Sequence, residues 1–342
     1  ALPVLDLADS ERRRAHALVT VRPADGERAA ADRHHTVPDD ALVRSRQAVA
    51  DLRLRDAVVL TEHVRRNPAT SLLRDRVDVE LLAGMARAYL GETTAMREAL
   101  DRALRPFASG SNLDDTLDRL AARSYDLACH TVAGTDDREA VDRLNFERDM
   151  AVRAGGPALA AASLAAVLVE VRRGRALAAR RELRASADRA PHLGGESFTM
   201  IELETAYGLA LFDHPREARQ LLGAIDVSSS ASRMLRQSFA ATSSVVAAAD
   251  GRLSEAHAHA AEAWALSSVT DAVMLQVRDV HRLAVLGHPH VEQTLDVMRG
   301  TIAGVEAPCA QALLRDAESA AAEGERAMAV SAGTLQRLRA AL

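Results

Sequence analysis

The chain has 342 residues, which exceeds the usual ~100 to 200 of a single domain and implies two domains or one elongated array. Hydrophobic residues make up 48%, nearly all alanine, leucine and valine, and only 3% are aromatic; strand-like alternation is rare, so the chain reads as all-helical. The net charge of −5 comes from interleaved acidic and basic residues, which describes solvated helix faces and argues against a nucleic-acid footprint.

Every Lys/Arg position is arginine. That excludes a Schiff-base lysine and a phosphate loop of the GxxxxGK[ST] type. Cys129 and Cys309 stand far apart outside any paired motif, as expected in a reducing compartment and a cytoplasmic protein. The longest apolar run, Ala158 to Val169, is broken by Ser163 and is too short to span a bilayer. "ALPVLDLADSERRR" at the start carries no secretion signal and no initiating methionine, so a longer parent protein is expected.

Residues 1–40 read as a helix remnant and a polar linker, with "VRPADGERAAADRHHTVPDD" at its centre. From residue 41 onward the chain alternates helix, tight turn, helix and looser turn. "AVADLRLRDAVVL" turns near Arg53, "ARAYLGETTAMREAL" at Gly91, "HTVAGTDDREAV" at Gly134 and "VEVRRGRALAARREL" at Gly174. "LALFDHPREARQLL" turns at Asp213 and His214, "AAADGRLSEAHAHAAEAWAL" at Gly251, "HRLAVLGHPHVEQTL" at Gly287 and "AAAEGERAMAV" at Gly324. A glycine there supplies the positive φ that ends the first helix, and a Ser or Asp just after it is expected to cap the second. A second series of breakers falls between: Asn67-Pro68, 107–112, 155–157, 191–195, 228–230, Ser267-Ser268 and Gly304.

Two interleaved series at a common period of roughly 36 to 43 residues predict stacked helical hairpins, each covering the apolar face of its neighbour. About eight such hairpins fill residues 41–342. The tail "AMAVSAGTLQRLRAAL" carries an apolar stripe that caps the last unit or pairs with a copy of itself in a homodimer.

The units resemble tetratricopeptide repeats: Tyr89 with Gly91 and Ala95, and Ala206-Tyr207 with Glu217-Ala218, stand at positions like those of the repeat. The period is longer and more variable than that repeat's. The stretch 277–298, "VRDVHRLAVLGHPHVEQTLDVM", is similar to the last helical stretch of the sensor region in large ATP-binding LuxR-type transcriptional regulators of actinobacteria, relatives of the maltose regulator. Asp279, Arg282, Leu283, Leu286 and Gly287 stand where that family has its hDxxRLxxLG pattern. The resemblance implies a right-handed α-solenoid of tetratricopeptide-like hairpins that senses a small molecule or binds partner modules. It also implies a neighbouring ATPase module and a helix-turn-helix reader, neither of which this stretch contains, so no direct nucleic-acid contact is expected of it.

No catalytic constellation emerges, and no enzyme, cofactor or metal is expected. His257 and His259 diverge by ~200° on a helix and read as surface residues. His281, His288 and His290 fall near Asp279 in sequence but lack a further ligand pair. Cys129 and His130 point to different helix faces, and the serine runs have no GxSxG elbow. Helices such as "LAAASLAAVLVEV", "TMIELETAYGLALF" and "SFAATSSVVAAA" are apolar on more than one face, as expected of an inner row or the wall of a groove. Along that row Glu202, Tyr207, Arg278 and His281 are the candidate anchors for a ligand. A purely structural self-association scaffold is the alternative expectation.

Overall fold

A computed structural model describes residues 38–66, 73–107, 116–135, 138–154, 156–189, 196–227, 231–324 and 336–338. Among the described residues all regular structure is helical. The expected linker over 1–40 lies outside them except for its last three residues, and so does most of the tail after Gly324.

The helices pair in chain order. α1 (Pro38–Ala50) is followed by α2 (Leu54–Arg66), α3 (Leu73–Leu90) by α4 (Thr93–Leu104), and α5 (Thr116–Ala133) by α6 (Arg138–Ala154). Next come α7 (Gly156–Arg172) with α8 (Ala176–Arg189), α9 (Glu196–Leu211) with α10 (Pro215–Leu222), and α11 (Arg233–Ala249) with α12 (Leu253–Ser267). α13 (Val273–Val285) and α14 (Val291–Thr301) form the seventh pair, and α15 (Pro308–Gly324) follows.

The turn inside each pair has one chemistry. Leu52, Gly91, Gly134, Gly174, Asp213, Gly251 and Gly287 have positive φ and recur 36 to 43 residues apart. In every case the next residue donates its N–H to the carbonyl five residues back, as Arg53 does to Ala48, Glu92 to Arg87 and His288 to Leu283. This left-handed C-terminal closure satisfies carbonyls that the first helix leaves open. The expected side-chain caps on the second helices are a correction: Glu92, His214, Arg252 and His290 occupy those cap positions and make no side-chain capping bond.

Odd- and even-numbered helices bury themselves differently. On α2 the buried residues are Leu54, Ala57, Thr61 and Val64, and on α12 Ala256, Ala260, Ala263 and Ser267, a single stripe at three- and four-residue steps. The odd-numbered helices are covered on several sides: α11 buries twelve residues and α13 ten. Alanines permit this, because small side chains let neighbouring helix axes approach.

Stacking on the next hairpin is not the whole packing scheme. α13 touches α3 and α5 as well as α12, α14 and α15, and α11 touches α1. Asp271, just before α13, accepts the N–H groups of Leu54 and Arg55 at 2.8 Å each, and so caps α2 from across the molecule. Glu306, just before α15, does the same for α4 through the N–H of Thr94 at 3.0 Å. The Ala307 N–H donates to the Gly91 carbonyl and the Cys309 thiol to that of Ala133. The late hairpins therefore supply the caps that the early ones lack.

Candidate functional site

Three odd-numbered helices carry polar residues inward at one place. Glu204 and Tyr207 on α9, Gln237, Ser238 and Thr242 on α11, and Arg278, Asp279, His281 and Arg282 on α13 line a cleft of about 90 Å³. Ala241, Leu275 and Leu338 give it apolar patches; Leu338, buried at 1% exposure, also belongs to the apolar cluster of Leu209, Ala210 and Val245.

Asp279 is the electrostatic centre of one wall. Its side chain is fully buried, and burial pushes its carboxyl up from the ordinary value, against the pull of Arg282, Ser267 and Gln237. Gln237 Nε2 donates to both of its oxygens at 3.0 Å, Ser267 Oγ to Oδ2 at 2.6 Å, and the Arg282 guanidinium to Oδ1. Burial opposes the charge of Arg282 too, but Asp279 and a hydrogen bond with Tyr207 hold its pKa above the usual one. One buried pair thus joins α9, α11, the end of α12 and α13. Such a pair offsets its desolvation only when its remaining hydrogen bonds are made, and for Asp279 they are.

His281 is 2% exposed and reaches away from this pair to Asp316 of α15, at 2.8 Å. Burial lowers its pKa, with Asp316 acting against that. Arg278 donates to the Thr131 carbonyl in the last turn of α5. Beside it, burial pushes the Tyr89 phenol well up, and its hydroxyl lies 3.8 Å from the Met234 sulfur.

Of the residues expected from sequence, the cleft brings together Tyr207, Arg278 and His281. Glu202 does not line it; Glu204, three residues before Tyr207 and on the same helix face, does. Burial instead moves Glu202 up to about 7 at a separate, half-buried position. Sequence reasoning missed Gln237, Ser238 and Thr242 in and beside a stretch read as apolar, although the four-residue step from Ser238 to Thr242 is visible in "RQSFAATSS".

The histidine grouping is a second correction. His288 and His290 sit with His257, at ring-centroid distances of 5.4 and 5.7 Å along the series, while His281 lies elsewhere with Asp316. His257 is engaged through Nε2 with the Leu286 carbonyl at 2.7 Å, so it ties α12 to the end of α13. Nδ1 of His288 accepts the His290 N–H, which places its ring proton on Nε2. Among the described residues no group of three or more His, Cys, Asp or Glu is arranged to hold a metal ion. Cys129 is fully buried, and His130 turns instead to Thr135 Oγ1 at 2.6 Å. No helix among these residues is long and apolar enough to cross a membrane.

Every residue of the pattern at 279–287 has a place in the fold. Asp279 and Arg282 form the buried pair, Leu283 and Leu286 are core, and Gly287 makes the left-handed turn. No family model, curated protein or solved structure matches the chain.

Proposed function

We propose that this chain is a non-enzymatic sensing and interaction segment of a transcriptional regulator, of the large ATP-binding LuxR type that its 277–298 stretch resembles. In this reading it is a right-handed, tetratricopeptide-like solenoid that works in the cytoplasm. A small-molecule effector enters the cleft between α9, α11 and α13.

The observation that carries the reading is the placement of that cleft. It interrupts the apolar inner row with polar groups from three successive hairpins, and one of its walls is α13, which also packs on α3, α5 and α15. A ligand that bridges α9 and α13 favours one spacing of those helices. Through α13 it biases the hairpins at the other end of the chain, which is the coupling a sensor needs to address flanking modules.

A thermal-shift screen of metabolites, repeated with the flanking modules added, tests the proposal. The expected result is saturable stabilisation by one class of metabolite, lost in Tyr207→Ala and accompanied by altered affinity for a flanking module. A folded chain that neither metabolites nor modules stabilise would rule the sensing role out.

A further inference from the structure

Arg278 is bonded differently from four other guanidinium groups that enter the fold. Arg46 pairs with Asp78 at 2.9 Å, Arg119 with Glu147 at 3.2 Å, Arg143 with Asp126 at 3.0 Å, and Arg282 with Asp279. Arg278, partly buried on α13, has no carboxylate within ion-pair distance among the described residues. Its hydrogen bond goes to the neutral carbonyl of Thr131. Arg278 and Arg282, the latter only 7% exposed, line the same cleft.

We infer that the cleft binds a small organic monocarboxylate, with its carboxylate on the Arg278 guanidinium. Three observations converge on that class. A planar guanidinium held on one side by a helix-terminal carbonyl presents its remaining N–H groups in the fork that matches a carboxylate. The Asp279 carboxylate is already paired with Arg282 and hydrogen-bonded by Gln237 and Ser267, which leaves Arg278 as the cleft guanidinium that meets an incoming carboxylate. Glu204 on the facing wall adds a second carboxylate, which in a cleft of about 90 Å³ repels a dianion such as phosphate more than a monoanion. The same small volume excludes large ligands, and Leu275 and Leu338 offer apolar surface for a short aliphatic tail.

The inference rests on the sensing reading only in its choice of cleft, and calorimetric titration of the full chain at constant ionic strength tests it separately. Propionate and inorganic phosphate are the two probes, with chloride as the balancing salt. Propionate is expected to bind saturably and more tightly than phosphate, and Arg278→Met to weaken it by about tenfold or more. Should Arg278→Met fail to fold by circular dichroism, Arg278→Lys keeps the charge but lacks the planar fork, and the same weakening is expected of it. Tighter binding of phosphate, no binding of propionate, or equal propionate affinity in the wild type and the folded variant would overturn the assignment. Stabilisation by a neutral metabolite without propionate binding overturns this inference and leaves sensing intact. Propionate binding that leaves flanking-module affinity unchanged keeps the site and removes the sensing role.

Discussion

At the scale of single residues, Glu202 and Glu204 show how finely a helix sorts two carboxylates. They differ by two positions, which turns their side chains ~200° apart, so Glu204 faces the cleft and Glu202 sits where burial raises its pKa to about 7. The raised value has a direction in stability. Between the ordinary pKa of 4.5 and about 7 the folded chain holds a proton that the unfolded chain has released, so folding is favoured at the acid end of that window and weakened as pH rises through it. Glu202→Gln is therefore expected to leave stability nearly unchanged near pH 4.5 and to raise the melting temperature at pH 8, with the difference opening between those limits. Partial exposure of the site limits the gain, and a pH series of thermal melts on both proteins measures it. The sequence made Tyr207, Arg278 and His281 readable as inward-facing polar residues on apolar helices. It left the register at Glu202 open, because a helix apolar on several faces has no polar stripe from which to count.

At the scale of elements, the glycine series was the most legible feature of the chain, because a left-handed turn favours a residue without a Cβ and glycine fills five of the seven described turns. Leu52 and Asp213 take that conformation without being glycine, and there only the spacing of the other turns and, at Asp213, the following His-Pro marked the place. The turns differ in what surrounds them. A Cβ on Gly134 would lie 2.1 Å from the Cys309 sulfur and one on Gly91 2.4 Å from Val305 Cγ1, whereas one on Gly251 would meet nothing within 4 Å. Gly251→Ala is expected to cost about 1 kcal/mol from backbone strain alone. Gly134→Ala adds displacement of the start of α15 and is expected to cost roughly 2 to 4 kcal/mol, in the range of overpacked cores. Urea unfolding midpoints with unchanged m-values compare the two. The missing side-chain caps belong to the same scale. Helices that begin two residues after a left-handed turn have little chain left from which to cap themselves, so their N–H groups are met by residues far away in sequence or are left to solvent.

At the scale of the whole molecule, those distant caps make the architecture something that periodicity cannot report. A repeating pattern predicts contacts between neighbours, but Asp271 reaches Leu54 and Arg55 across more than 200 residues, and nothing in the sequence around either end announces the pairing. In an array with neighbour contacts only, loss of a side chain in the loop before α13 would disturb α12 and α13 and leave the first hairpin unaffected. Here Asp271→Ala removes the acceptor of the first two N–H groups of α2. It is expected to cost about 1 kcal/mol and to speed amide exchange in the first turn of α2 and across its contact with α1. Glu306→Ala is expected to act on the first turn of α4 in the same way. Its carboxyl is held below the ordinary value by the Thr94 N–H and hydroxyl, so that cap is present above the usual carboxylate range and is lost as pH falls through the lowered value. Hydrogen exchange followed by mass spectrometry resolves the two helices separately. Faster exchange confined to α12 to α15 in both variants would mean that the early and late hairpins fold as independent neighbours. Faster exchange at α2 and α4 would mean that the late loops hold the early hairpins, and that a ligand acting on α13 has a physical route to the other end of the chain.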